Sequence, residues 1–117
     1  MAEHNTEKEF NDAIAECKEV FVKKLKDYGA SWRILRPTAV TDQILIKANR
    51  IRTLETKKEA MVDEGILPEF KGIVNYGIIG LIQLELGMSD TVDISNEEAI
   101  RLYDRFIDQT TKLMRAK

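Results

Sequence analysis

The strongest constraint on the fold is an apolar segment in the second half of the chain. From Phe70 to Leu86, isoleucine, leucine and valine side chains would surround a helix on nearly every side. A helix of this kind packs centrally among other elements. The isoleucine and valine content also suits a strand, but the length of the run and the residues at its ends favour a helix. Pro68 suits a first helical position and Gly87 the residue after the last, so we expect a helix over 68–87.

The rest of the chain predicts three amphipathic helices around this one. Their apolar residues recur every three or four positions, which is the spacing of one helical face. The pairs Thr6 with Glu9 and Ser95 with Glu98 have the spacing of a capping box, in which a hydroxyl satisfies a free amide at a helix start. We therefore expect an all-α fold, a bundle of about four helices in a single domain over 1–117, with an irregular loop after the first helix. The expected outer helices cover residues 6–28, 40–60 and 96–115.

Composition and charge narrow the function. The chain has 117 residues, a net charge of -2, 44% apolar and 32% charged residues. These values are typical of a soluble globular protein and lack the basic excess of a protein that wraps duplex nucleic acid. The N-terminus has no secretory pattern, and Asn75, Gln83 and Glu85 interrupt the apolar segment, so we expect a cytoplasmic protein without a membrane span. Cys17, the only cysteine, is favoured as a core residue over a reactive thiol because the only histidine, His4, is close to the N-terminus.

The loop after the first helix carries the only tryptophan, Trp32, together with Arg33 and Arg36. An indole ring stacks well on a nucleobase, and a guanidinium group fits phosphate oxygens. The alternative is that Trp32 folds back over the core while both arginines are solvated. The sequence leaves the two interpretations open.

A polar strip is predicted on the second helix. Helical spacing places Asp42 and Asn49 on one face and Lys47 and Arg50 on the adjoining face. A carboxylate, an amide and two cations form a set that can hold a metal ion and a phosphate together. The alternative is the ordinary solvated face of an amphipathic helix, with weak ion pairs.

The third helix carries small and polar residues on one of its faces. A buried polar group without a partner costs roughly 1–3 kcal/mol, so these residues need either a ligand or partners in the protein. A pocket between helices is one explanation, and an interhelical hydrogen-bond network or a close helix crossing is the other. The face consists of Glu69, Gly72, Tyr76, Gly80 and Gln83.

Carboxylates are the potential metal ligands that the sequence offers. It has no Cys/His metal spacing, no phosphate-binding glycine loop and no Ser-His-Asp set. Mg²⁺ requires one or two carboxylates in addition to substrate phosphate. The candidates are Asp42, Asp63, Glu64 and Glu69.

Three blocks of the sequence carry a resemblance. They are Asp-Tyr-Gly-x-Ser-Trp at 27–32, Thr-Asp-Gln-Ile-x-Ile-Lys-Ala-x-Arg-Ile-Arg at 41–52, and Val-Asp-Glu…Pro-Glu-Phe-x-Gly-Ile-x-Asn-Tyr…Leu-Ile-Gln-Leu-Glu at 62–85. In this order they resemble the nucleotide modification associated domain 1 family. The resemblance covers about residues 7–88 and leaves the helix over 96–115 as an addition. It implies a helical fold and a link to nucleotide or nucleic-acid modification.

At a further remove, the chain is similar to the all-helical nucleoside triphosphate pyrophosphatases of the MazG and dUTPase type. Those enzymes bind Mg²⁺ with Glu-x-x-Glu on one helix and Glu-x-x-Asp on the next, and the metal helps water to attack the triphosphate. The second motif would fall on 69–72, where Gly72 replaces the aspartate. The first would fall on the second helix, where Asp42 is the available carboxylate.

These observations predict a protein that binds a nucleotide or phosphate compound between its second and third helices. The reaction that the resemblance implies is Mg²⁺-dependent pyrophosphohydrolysis. The alternative is a non-catalytic helical module for dimerisation or partner binding. We also expect a homodimer, because four helices bury an apolar helix poorly. In the expected site, Asp42 and Glu69 hold the metal, Lys47, Arg50 and Arg33 hold phosphate, and Trp32 or Tyr76 stacks on the base.

Overall fold

A computed structural model describes the backbone of residues 2–57 and 62–116 and the side chains of residues 6–56 and 65–116. Every long element in these ranges is an α-helix and no strand occurs among them, which confirms the predicted all-α class. A short 3-10 helix, Ser31–Ile34, lies in the loop after the first α-helix. The α-helices are α1 (Ala2–Tyr28), α2 (Pro37–Lys57), α3 (Val62–Leu86) and α4 (Asn96–Arg115).

Helix α3 lies at the centre of the bundle and contacts the other three helices, as its apolar sequence predicts. Helix α2 runs antiparallel along it, because Val40 near the start of α2 faces Gly80 and Leu54 near its end faces Gly65. A Cβ at Gly65 would lie 3.1 Å from Leu54 Cδ1, so the absence of a side chain there permits the close approach. The α2–α3 pair is the frame on which the candidate site is built.

The core forms where α1, α3, α4 and the loop after α1 meet. Phe21 stacks on Tyr103 with ring centroids 4.3 Å apart, and Trp32 lies 6.2 Å from Phe21 on another side. The buried Tyr103 hydroxyl donates to Asn75 Oδ1 at 2.7 Å, and Asn75 Nδ2 donates to the Cys17 carbonyl at 3.0 Å. The core therefore gains apolar burial while its polar atoms stay satisfied. Cys17 is itself buried, and burial raises the pKa of its thiol, which confirms its predicted core position.

Three helix ends follow the predicted capping residues. Gly29 and Gly87 terminate α1 and α3 with φ angles of 66° and 78°, in the left-handed region that glycine adopts readily. Their amides donate to carbonyls four residues back in the chain. At the start of α4, Ser95 Oγ accepts a hydrogen bond of 3.1 Å from the amide of Glu98. These local signals predicted the ends correctly because each acts within one helical turn.

The start of α1 differs from the prediction. The helix begins at Ala2 rather than at Thr6, so Thr6 lies inside the helix and is not its cap. Alanine and glutamate are strong helix formers, and they extend the helix past the capping box.

The start of α3 also differs. The helix begins at Val62 and runs through Pro68, so residues 62–67, which were expected to precede the helix over 68–87, are helical. Proline lacks an amide hydrogen and forfeits one intrahelical hydrogen bond near the start of a long helix. The residues before it remain helical with Gly65 packed against Leu54 of α2.

One side of α3 stays exposed, contrary to the expectation that the helix is enclosed all round. Five apolar side chains on this side are 36–69% exposed, because α1, α2 and α4 cover only the other sides. The segment Gly65–Leu86 has the length and composition of a membrane-crossing helix, and 22% of its most apolar part is buried. A core helix of a soluble protein meets the same criterion. The exposed residues are Leu67, Phe70, Val74, Leu81 and Leu84.

Candidate functional site

A cavity of ≈ 620 Å³ lies between α1, the Ser31–Ile34 helix, α2 and α3. Small-molecule sites commonly have volumes of about 300–1,000 Å³, with apolar and aromatic walls and a few well-placed polar groups. This cavity has such a wall. Its aromatic and charged lining residues include Lys24, Tyr28, Trp32, Lys47, Glu69, Lys71 and Tyr76.

Lys47 is the central cation of the cavity. Its Nζ lies 3.7 Å from Glu69 Oε2 and 5.7 Å from the centroid of the Tyr76 ring. The aliphatic part of Lys47 crosses α3 directly over Gly72, where a Cβ would lie 2.7 Å from both Cδ and Cε of the lysine. Two carbon atoms do not approach so closely, so the absence of a side chain at Gly72 allows Lys47 to reach Glu69 from this position.

Glu69 is the carboxylate of the cavity, and its side chain is 18% exposed. On one side it pairs with Lys47, and on the other its Oε1 lies 3.6 Å from Arg50 Nη1, which approaches from a neighbouring surface groove. The second oxygen, Oε2, is buried and has no hydrogen-bond donor among the described residues. A buried acceptor without a donor costs about 1–3 kcal/mol, so a ligand that supplies an N–H or O–H group here would gain that energy.

Trp32 and Tyr76 bring aromatic surface to the cavity from the loop and from α3. Trp32 is 8% exposed and packs on Phe21, which confirms that it covers the core, while its ring also lines the cavity. Tyr28, at the end of α1, is 72% exposed and contributes a third ring. Stacking of Trp32 or Tyr76 on a base stays a prediction.

Arg33 does not line the cavity, so the expected contact between Arg33 and a bound phosphate is corrected. It is 3% exposed, and its guanidinium donates to Asp93 Oδ1 at 2.8 Å, to the Gly87 carbonyl at 2.7 Å and to Gln83 Oε1. These hydrogen bonds occupy the guanidinium within the protein, so its donors are not directed at a ligand. The hydrogen bond from Arg33 also lowers the pKa of Asp93. Arg33 thus holds the tryptophan-bearing loop against the end of α3.

The sequence left two explanations open for the polar face of α3, a pocket and a hydrogen-bond network, and different residues of the face fit each of them. Glu69, Gly72 and Tyr76 line the cavity. Gln83 belongs to a network instead, because its Nε2 donates to the carbonyls of Arg33 at 3.0 Å and Leu35 at 2.7 Å. The network fixes the loop whose tryptophan forms one wall of the cavity.

Asp42 is exposed and does not line the cavity. It precedes Lys47 by five residues, or about 7.5 Å along α2, and the α2 side chains that reach Glu69 are Lys47 and Arg50. The structure therefore does not bring Asp42 and Glu69 together, and the expected pair of metal ligands is corrected. Two cations approach Glu69 where the prediction placed a second carboxylate.

The donor set around Glu69 does not fit the expected Mg²⁺ site. No group of three or more His, Cys, Asp or Glu side chains in the described ranges is placed to hold a metal ion. The side chains of Asp63 and Glu64 lie outside those ranges. The space above Gly72 is filled by Lys47. A lysine beside a single carboxylate suits an anionic ligand better than a divalent cation.

Two lysines of the cavity were not predicted from the sequence. Lys24 and Tyr28 are four residues apart on α1 and share a face, but the apolar pattern that identifies the core-facing side of α1 does not include Lys24. Lys71 Nζ lies 3.5 Å from Glu16 Oε1 of α1. That position depends on how α1 packs against α3, which no local pattern encodes.

Comparison with known proteins gives one match. The model of a protein family described as nucleotide modification associated domain 1 matches residues 24–84. The matched range contains all the residues that line the cavity except Val20 and Phe21. No curated protein and no solved structure matches the chain.

Proposed function

The chain belongs to the nucleotide modification associated domain 1 family, and from this premise we propose that the cavity binds a phosphate-bearing nucleotide without a divalent metal. The observation that carries the proposal is the Lys47–Glu69 pair, because both residues line the same aromatic-walled cavity and the carboxylate oxygen nearest to the ammonium, Oε2 at 3.7 Å, is buried without a hydrogen-bond donor among the described residues. The proposal concerns binding, and it assigns each part of the ligand to a part of the cavity.

The phosphate is assigned to the lysines. Lys24, Lys47 and Lys71 line the cavity against the single carboxylate of Glu69, so the lining carries an excess of positive charge. A phosphate monoester carries about -1.5 to -2 charges at neutral pH, which matches this excess. A charge-assisted hydrogen bond to phosphate contributes roughly 1.5–3 kcal/mol. The affinity should therefore depend on the phosphate group.

The base is assigned to the aromatic wall. Stacking of a base on an aromatic side chain is worth about 1–3 kcal/mol and tolerates different bases, because every base has a π-face. Tyr76 is the more adaptable of the two candidates, since Trp32 is already packed in the core. A ribose hydroxyl or a base amino group would donate to Glu69 Oε2 and satisfy the buried acceptor.

Isothermal titration calorimetry of the full chain tests this assignment. The titrants are nucleosides and nucleoside mono-, di- and triphosphates, each measured in EDTA and again with Mg²⁺. We expect the monophosphate to bind at least about tenfold more tightly than its nucleoside in EDTA, and Lys47→Met to remove most of this difference. Lys112→Met is the matched control, because Lys112 is 75% exposed on α4 and pairs with Asp108.

Two results would overturn the proposal. The first is the absence of binding by any nucleotide at millimolar concentration. The second is binding that requires Mg²⁺, with release of pyrophosphate from the triphosphate that Glu69→Gln abolishes, since this would return the site to the pyrophosphohydrolase interpretation.

A further inference from the structure

The exposed side of α3 forms a continuous apolar stripe without a partner in the described chain. We call it the outer stripe, and its members follow one another at intervals of three or four residues, which places them on one helical face. Its apolar side chains are 36–69% exposed. The outer stripe consists of Leu67, Phe70, Val74, Gly77, Leu81 and Leu84.

Gly77, in the middle of the outer stripe, is not explained by the packing of the chain itself. A Cβ at this position would meet nothing within 4 Å. Glycine in a helix interior costs about 1 kcal/mol relative to alanine, so an exposed helical glycine normally reflects a close approach by something else. At Gly72 of the same helix that neighbour is Lys47. At Gly77 the described chain supplies none.

The outer stripe is nearly symmetrical about Gly77. Phe70 and Leu84 each lie seven residues from it, and Val74 and Leu81 lie three and four residues from it. A second α3 that crosses antiparallel at Gly77 would bring Val74 against Leu81 of the other copy, and Phe70 against Leu84 of the other copy. This reciprocal pairing is the property of an interface with two-fold symmetry. A bare glycine at the crossing point allows the two helix backbones to approach.

We propose that the outer stripe binds the outer stripe of a second copy of this chain, with the two α3 helices antiparallel and crossing at Gly77. The proposal is independent of the nucleotide cavity, whose wall lies on the side of α3 that faces α1 and α2.

The exposed area fits this occupant. The fractions above correspond to roughly 450 Å² of apolar surface, more than half of the ≈ 800 Å² that each partner buries in an interface of standard size. Leu45 and Ile46 of the adjacent helix α2 are a further 59% and 45% exposed. A lipid surface would cover the same apolar area, but binding to lipid would not explain why the outer stripe is nearly symmetrical about Gly77.

Sedimentation velocity of the full chain between about 1 and 200 µM tests the proposal. We expect a species of twice the 13.4 kDa chain mass. Leu81→Glu and Val74→Lys should each shift the protein to monomer and raise the dimer dissociation constant at least about 100-fold. Leu113→Glu is the matched control, because Leu113 is 64% exposed on α4, outside the outer stripe, and this variant should remain dimeric. Circular dichroism confirms that each variant is helical.

Mixing the two variants tests the register. In the antiparallel arrangement, an equimolar mixture of Val74→Lys and Leu81→Glu chains places the introduced ammonium beside the introduced carboxylate and leaves a native Val74–Leu81 contact on the other side of the axis. We therefore expect the mixture to recover the dimer. Wild-type chain that stays monomeric up to 200 µM, a mixture that stays monomeric, or wild-type chain that is monomeric but binds phosphatidylcholine–phosphatidylglycerol vesicles would each overturn the proposal.

Discussion

The contact between Lys47 and Gly72 makes a quantitative prediction for Gly72→Ala. The added methyl group would lie 2.7 Å from Lys47 Cδ and Cε, so the end of the lysine side chain must shift, and we expect its 3.7 Å pair with Glu69 to be lost. Alanine itself contributes about 1 kcal/mol of helix propensity. Moving the Lys47 ammonium away from the Glu69 carboxylate, which then keeps only Arg50 at 3.6 Å, costs roughly 1–3 kcal/mol. The two effects oppose each other, so the net change in the free energy of unfolding is small and is not informative alone.

Gly77→Ala provides the comparison that isolates the contact. It makes the same substitution in the same helix, but the new methyl group meets nothing within 4 Å. The propensity gain therefore cancels between the two variants, and we expect Gly72→Ala to be less stable than Gly77→Ala by about 1–3 kcal/mol. Both substitutions are made in the Leu81→Glu chain, so that self-association does not contribute.

Urea denaturation followed by circular dichroism measures this difference, and nucleotide titration measures its functional consequence. We expect Gly72→Ala to weaken binding of a nucleoside monophosphate about tenfold, which corresponds to 1.4 kcal/mol, and Gly77→Ala to leave the affinity unchanged. If Gly72→Ala is as stabilising as Gly77→Ala and binds nucleotide normally, then Lys47 does not depend on the space above Gly72 and our reasoning about the site is wrong.

Three further predictions concern the framework around the cavity. The pKa of Asp93 is lowered because Arg33 donates a hydrogen bond to its carboxylate. The contribution of this ion pair to stability is therefore fully present above pH 3.8, the ordinary pKa, and is lost as the pH falls through the lowered pKa. In urea titrations, the stability difference between wild type and Asp93→Asn should be constant near neutral pH and shrink below about pH 4, and a difference that does not change down to pH 2 would contradict the ion pair. Tyr103→Phe should destabilise the chain by about 1–3 kcal/mol, because it leaves the buried Asn75 Oδ1 without its donor, and a loss below 0.5 kcal/mol in thermal melts would exclude that role. Burial raises the pKa of the Cys17 thiol, so Cys17 should react with iodoacetamide at pH 7.5 only when the protein is unfolded. Mass spectrometry of native and urea-treated protein measures this labelling, and rapid labelling of the native protein would contradict the buried position.

The parts of the fold that were predicted from sequence depend on interactions within one or two helical turns. The bounds of α4, its Ser95 cap and the terminating glycines, Gly29 and Gly87, are of this kind. The start of α3 was not predicted correctly, because Pro68 is a strong local signal for a helix start and gives no indication that the preceding residues are also helical. The symmetry of burial around α3 was also overestimated, since an apolar pattern alone does not state how many neighbours cover the helix.

The site residues show the same difference between what local spacing predicts and what tertiary packing decides. Lys47, Glu69 and Tyr76 were predicted because polar residues at helical spacing on two neighbouring helices are expected to face each other. The role of Arg33 was missed because its main partner, Asp93, lies 60 residues away and no local spacing connects them. Asp42 was misassigned because an exposed acid near a helix start has the same residue type as a metal ligand.

The most direct test of the proposed function is a titration followed by the fluorescence of Trp32, the only tryptophan, whose ring lines the cavity. Nucleoside monophosphate, the corresponding nucleoside and inorganic phosphate are each added to the full chain in EDTA. We predict a saturable change in Trp32 emission with the monophosphate, a midpoint at least about tenfold higher with the nucleoside, and loss of the response in Lys47→Met but not in Lys112→Met. Emission that does not respond to the monophosphate at millimolar concentration, or that responds equally in Lys47→Met, would contradict binding in this cavity.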